Sequence, residues 1–155
     1  MPRVARRLVV VAALTLAVVL LAARFRVTVV DGQSMAPGLM NGQVVLVDTA
    51  VRGRDLRRGD VIVFTQGNES LVKRVVALPG DTLEPVDAAA FARVRDLFER
   101  PPVGSAPSCL TVPAGRLVAL GDNRRESDDS RAFGPVPVDA VVGRLVCKVP
   151  QGGPQ

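Results

Sequence analysis

Histidine is missing from all 155 residues, and so are tryptophan and tyrosine. Without imidazole, no serine in this chain can be activated by a Ser-His-Asp triad, and the commonest metal ligand is gone as well. The two cysteines, Cys109 and Cys147, are too few and too far apart in sequence for a zinc site, so neither a metal nor a cofactor is expected. They fit a disulfide and two free thiols equally well. Aromatic residues are 3% of the chain, all of them phenylalanine. That leaves little to stack on bases, so the net charge of +5 does not point to nucleic acid. An anionic lipid surface accounts for such a charge, and so does an arginine-rich face bathed in solvent. Lysine is nearly absent too. Lys73 and Lys148 stand against eighteen arginines, and arginine stays protonated at any working pH. If the chain uses a serine nucleophile, one of two lysines is left to serve as its base.

What is present begins with Arg3, Arg6 and Arg7, followed by an uncharged run over residues 8–23 whose only polar side chain is Thr15. As a helix that run spans roughly 24 Å, somewhat short of a hydrocarbon core of about 30 Å, and Arg7 and Arg24 can close the gap by snorkelling. A cleaved secretory signal is the competing reading. Leu21 stands where cleavage wants a small residue, and Arg24 and Arg26 follow at once, which favours a retained anchor. The expected organisation is a basic flank and transmembrane anchor over 1–26, one domain over 27–150 and a disordered tail over 151–155. The arginine balance leans toward an inside amino terminus and an outside domain.

From residue 27 the pattern turns period-two and β-branched. Strands are predicted over 27–30, 43–47, 61–65, 71–78, 116–120 and 142–149, with Asn41-Gly42 and Gly67-Asn68 as hairpin turns. Arg58-Gly59-Asp60 reads as turn chemistry leading into a strand. One helix is expected over 88–98, capped by Asp87, with Phe91, Val94 and Leu97 or Phe98 on its apolar face. Pro101, Pro102, Gly104 and Pro107 end it in a loop. The fold class is therefore mainly β, an antiparallel sheet with one amino-terminal membrane helix and a short helical, proline-rich insertion.

Three stretches carry candidate chemistry. GQSMAPGL, residues 32–39, sets Ser34 among turn formers, with Gly32 before it and Met35 after it. LVKRVVAL, residues 71–78, alternates so that Leu71, Lys73, Val75 and Ala77 share one face, opposite Val72, Arg74, Val76 and Leu78. Lys73 is thus a lone amine on an apolar face, where desolvation favours its neutral form. GDNRRESDDSRAFG, residues 121–134, is dense in hydrogen-bonding groups: Ser127 and Ser130 offer hydroxyls to a lysine, and Asp122, Asp129 and Arg131 offer ion pairs. Taken singly, each stretch also reads as an ordinary turn, edge strand or solvated loop.

Together with RGDVIVF over residues 58–64, KRVVALPGD over 73–81 extends the second stretch, and these boxes resemble in order and spacing those of type I signal peptidases, peptidase family S26. The match spans about residues 8–149 and is weak over 84–113. The resemblance implies a membrane-anchored signal peptidase I, a serine endopeptidase removing signal peptides from exported preproteins, monomeric and free of cofactors. It implies Ser34 as nucleophile, Lys73 as general base, Ser127 orienting the Lys73 amine, Asp129 paired with Arg131, and Asp122 near Arg74. The Ser34 N–H would be one oxyanion donor. Some relatives carry a hydroxyl where this chain has Gly32, which leaves the second donor open. The family's strand-rich insertion is replaced here by the short segment around 87–107. Two alternatives remain: a dedicated maturation peptidase for one or a few exported proteins, and an inactive module that binds signal peptides.

Overall fold

The computed structural model describes residues 3–51, 53–84, 87, 89–100, 103, 104 and 108–150. Ala88, Pro101, Pro102, Pro107 and the tail over 151–155, each named in a sequence expectation, lie outside them.

Helix α1, Arg3–Arg24, has 22 residues, longer than the uncharged run because the flanking arginines join it. At 1.5 Å per residue it measures about 33 Å, enough for a hydrocarbon core of about 30 Å. The segment Ala5–Arg24 has a mean hydropathy of 2.2 and no residue buried against the rest of the chain. Length and composition thus allow it to cross a membrane. Its last residue is tied to the domain. Arg24 donates from Nε and Nη2 to Asp48 at 3.1 and 2.6 Å, and its carbonyl accepts from the Thr49 N–H and hydroxyl.

The chain then runs through β1 (Phe25–Val29), β2 (Val44–Asp48), β3 (Val61–Gln66), β4 (Glu69–Ala77), β5 (Thr82–Leu83), β6 (Leu110–Thr111), β7 (Arg116–Leu120), a one-turn α2 (Ser130–Phe133), β8 (Val136–Pro137) and β9 (Val141–Lys148). Seven strands form one sheet in the order β1-β2-β9-β3-β4-β7-β8, and β5 pairs with β6 separately. All pairings are antiparallel. The six predicted strands are all present, shifted at their ends by one or two residues. The two-residue strands β5, β6 and β8 are too short to leave a periodic trace.

Gly67-Asn68 joins β3 to β4 as a two-residue turn, since Gln66 pairs with Glu69. Asn41-Gly42 differs from expectation. It closes a longer loop, with the Gly42 N–H bonded to the Val30 carbonyl and the Val30 N–H to Gln43, and that loop carries Ser34. The Arg58-Gly59-Asp60 turn docks on β4 through reciprocal bonds with the Val75 backbone.

The expected helix around 88–98 is replaced by 3-10 turns over Ala89–Leu97, broken by non-helical backbone at Phe91 and Val94. The apolar face was read correctly at Phe91 and Val94, which are buried, whereas Leu97 is 50% exposed. Anchors three residues apart line up in a 3-10 turn, whose period is three, and also share one face of an α-helix, so their spacing does not choose between the two. Phe98 supplies the further contact, its ring 5.3 Å from that of Phe91. Asp87 makes no cap hydrogen bond among the described residues.

The core is divided in three. Ile62, Phe64, Val75, Leu117 and Ala119 fill the centre; Phe91 and Val94 cover Ala77, Val118 and Leu120. Val30, Met35, Leu39, Val45 and Val63 form the third cluster, so the residue after Ser34 is itself a core anchor. Cys109 is buried, Cys147 is exposed, and both are free thiols.

Candidate active site

Register decides what meets what. In β4 the buried residues are Lys73, Val75 and Ala77, the predicted face. Lys73 sits opposite Ile62 of β3, and Arg74 opposite Leu120, the last residue of β7. Two residues beyond that pair, Asp122 meets the Arg74 guanidinium through two bonds of 2.8 and 2.7 Å. The loop over 121–129 is thereby held beside Lys73.

Ser34 lies five residues beyond the end of β1, in the turn that Gly32 opens with φ of +85°, a conformation that side-chain-bearing residues seldom adopt. Met35 is 1% exposed and fixes this turn from below. Across the molecule, Lys73 Nζ lies 2.8 Å from Ser34 Oγ. The amine is 3% exposed as a residue and Ser34 Oγ is its one hydrogen-bond partner among the described residues. Burial pushes the Lys73 amine below the usual lysine range, against an opposing pull from Asp129 and Asp128. A buried amine without a salt bridge, held on a hydroxyl, is equipped to take a proton.

Asp129 is the counterweight. It is 1% exposed and receives Arg131 Nε and Nη2, both at 2.8 Å, together with the N–H groups of Arg131 and Gly121. Burial alone would raise its pKa. The Arg131 and Gly121 hydrogen bonds outweigh that and hold the carboxyl below its ordinary value. Asp129 also caps α2. Ser130 Oγ accepts the Ala119 N–H, pinning the loop to β7.

Gly121 is where the loops touch. A Cβ there would fall on the Ser127 side chain and 2.5 Å from the Ser34 carbonyl oxygen, while the Asn123 N–H donates to that same carbonyl. On the other flank, a Cβ on Gly38 would strike the Asp122 carboxylate. The serine turn is seated on the polar loop at both ends.

Residues 3–149 match the family described as "Signal peptidase, peptidase S26". The chain belongs to that family. Among its relatives is Signal peptidase IB of Staphylococcus aureus (strain COL), 30% identical over 139 residues, covering 75% of this chain and 73% of that protein. Signal peptidase I of Leptolyngbya laminosa is 32% identical over 134 residues, 77% of this chain and 66% of its own. A crystal structure of a signal peptidase I from Enterococcus faecalis V583 covers 59% of this chain and 97% of that one at 30% identity, with a TM-score of 0.43. Peptidase S26 comprises serine endopeptidases, and this chain is a member with an apolar amino-terminal helix.

Most of the residues expected at an S26 site converge: Ser34 on Lys73, Arg74 on Asp122, and Arg131 on Asp129. Two do not stand as expected. Ser127 Oγ is buried with no hydrogen-bond partner among the described residues, the Lys73 amine included, and its side chain packs against Gly121. The Gly32 N–H is taken by Asn41 Oδ1 at 2.9 Å, so Gly32 shapes the turn and offers no donor to an oxyanion. Ser130, the other hydroxyl offered to a lysine, is engaged with the Ala119 N–H instead, and nothing in the sequence assigned Asn41 and Asn123 a part in the site. Asn123 sits inside the recognised box, but its contribution is a backbone N–H, which no residue type reveals. Beside the dyad lies a cavity of about 180 Å³ walled by Thr28, Val30, Met35, Val63 and Val72 along with Ser34 and Lys73. It draws on three separate strands and a loop, and sequence gave no sign of it.

Proposed function

We propose that the chain is a signal peptidase I that cleaves signal peptides from exported preproteins, with Ser34 as nucleophile and Lys73 as general base. One observation carries this reading: the 2.8 Å approach of a buried, uncompensated amine to the Ser34 hydroxyl. With the amine neutral, the hydroxyl donates along that contact. Ser34 Oγ passes its proton to Nζ and attacks the peptide carbonyl carbon. The resulting ammonium returns the proton to the leaving nitrogen as the C–N bond breaks. Water then gives a proton to Nζ, attacks the acyl-enzyme, and Ser34 recovers its hydrogen from Lys73.

The Ser34 N–H has no acceptor among the described residues, which suits it to stabilise the oxyanion, a contribution typically worth about 3 to 4 kcal/mol. Asp129 with Arg131 and Asp122 with Arg74 act as positioning pairs for the loop behind the dyad. The cavity supports a substrate with small side chains before the cut, since 180 Å³ lies below the roughly 300 Å³ at which ordinary ligand pockets begin. In this reading α1 is a single-pass anchor in the cytoplasmic membrane and the domain works as a monomer on the outer side. Sharing a bilayer with its substrate raises their effective concentration.

The test is cleavage of a preprotein by the full chain in detergent, comparing wild type with Ser34→Ala. The expected result is a product whose new amino terminus follows a small residue, and no product from the variant. Wild-type rates in Ser34→Ala would remove the reading. An inactive binding module is disfavoured by the same Ser34–Lys73 contact, which binding alone does not need.

A further inference from the structure

A second depression, of about 440 Å³, lies between the 3-10 segment Ala89–Leu97 and the loop leading into α2, and is linked to the serine turn through Ser127 and its contact at Gly121. It shares no lining residue with the cavity beside Lys73. Ala89, Ala92 and Ala132 keep it shallow, Ser127 lies at its edge, and Arg93, Arg124 and Arg131 surround it. No carboxylate is among its lining residues within the described part of the chain. Arg131 spends its charge on Asp129. Arg93 and Arg124 are exposed and make no ion pair among the described residues. Two like charges beside a groove otherwise lined largely by alanine attract an anion.

We propose that this groove receives the segment of the substrate that follows the scissile bond, and that Arg93 and Arg124 select acidic side chains there. The inference rests on the reading of Ser34 as nucleophile. Residues before the cut occupy the cavity built by β1, β3 and β4. A chain crossing Ser34 must leave on the opposite flank, and the wall there is the contact of Gly121 with Ser127 and the Ser34 carbonyl. Ser127 is on that wall and on the groove. The leaving segment therefore passes between the two arginines.

The experiment uses the full chain in vesicles of phosphatidylcholine at low salt, with two peptides identical up to the cut. One continues with Asp and Glu at the second to fourth positions after it, the other with Asn and Gln. Wild type is expected to favour the acidic peptide by about threefold to tenfold in kcat/KM, the strength usual for two exposed ion pairs, and to lose the preference in 0.5 M salt. Arg93→Gln with Arg124→Gln brings the two peptides to parity and leaves the neutral one at its wild-type rate. Arg93→Glu with Arg124→Glu reverses the order. An unchanged ratio in the glutamine variant overturns the proposal while leaving the catalytic reading intact. A wild type that cleaves neither peptide removes both. A gain that follows anionic lipid in the vesicles equally for both peptides assigns the arginines to headgroups and overturns it too.

Discussion

Gly121→Ala adds one methyl group to the place where the polar loop meets the serine turn. The Ser34 carbonyl oxygen would be 2.5 Å from the new Cβ, against the 3.4 Å at which ordinary contact begins, so something must retreat by about 0.9 Å, the difference of the two. Retreat of Gly121 itself is opposed by its N–H bond to the buried Asp129. The Ser127 side chain, on which the new Cβ falls, and the Ser34 segment must therefore both yield, and a displacement near 1 Å at a reacting group costs on the order of 100-fold in rate. Overpacking of this kind also destabilises by about 1 to 3 kcal/mol. The comparison that separates the two effects is Gly115→Ala, at φ of +70° with open space around it. A side chain in that left-handed conformation costs about 1 to 2 kcal/mol without touching Ser34. Both variants should lower the thermal midpoint of the full chain in detergent, and only Gly121→Ala should lower kcat/KM with a processed peptide by about two orders of magnitude. Equal activity in the two variants would refute the claim that Gly121 sets the position of Ser34.

Two further predictions concern charge. Because the Lys73 pKa is depressed by burial, activity should rise with pH through a midpoint below the ordinary lysine value. Between the folded and unfolded pKa values the unfolded chain binds the extra proton, so stability rises with pH in that window. Lys73→Met should abolish cleavage and stabilise the fold at neutral pH, its advantage shrinking toward pH 10.5, by about 1.4 kcal/mol for each tenfold change in proton affinity; a variant less stable than wild type at neutral pH would contradict this. For Asp129 the sign is opposite. Its depressed pKa stabilises the fold above the unfolded value of about 3.9, and that stability is lost as pH falls through the folded value below it. Asp129→Ala leaves Arg131 without its partner and removes the acceptor of the Gly121 N–H, which should cost about 3 to 5 kcal/mol in urea titrations at pH 7. A loss under 1 kcal/mol would show the pair to be dispensable.

The amino-acid order alone determined the strands and the apolar amino-terminal helix, because each is a matter of period and hydropathy within one short window. It also singled out Lys73, through an absence: with no histidine and two lysines, the amine on the apolar face of residues 71–78 had little competition. The alternation that buries Lys73, Val75 and Ala77 was legible because side chains on a strand point to opposite faces by geometry. The kinked 3-10 course of residues 89–97 was not, since burial of Phe91 and Val94 suits either kind of helix and only packing on the sheet chooses. Nor was the state of Ser127, whose side chain packs against Gly121 where that residue also meets the Ser34 carbonyl, a meeting of segments more than eighty residues apart. What the tertiary structure decided was proximity. Register sets Arg74 opposite Leu120 and so delivers the polar loop to β4, and two missing side chains, at Gly38 and Gly121, let the serine turn settle onto it. Those are interactions between segments far apart in sequence, with no local pattern to announce them.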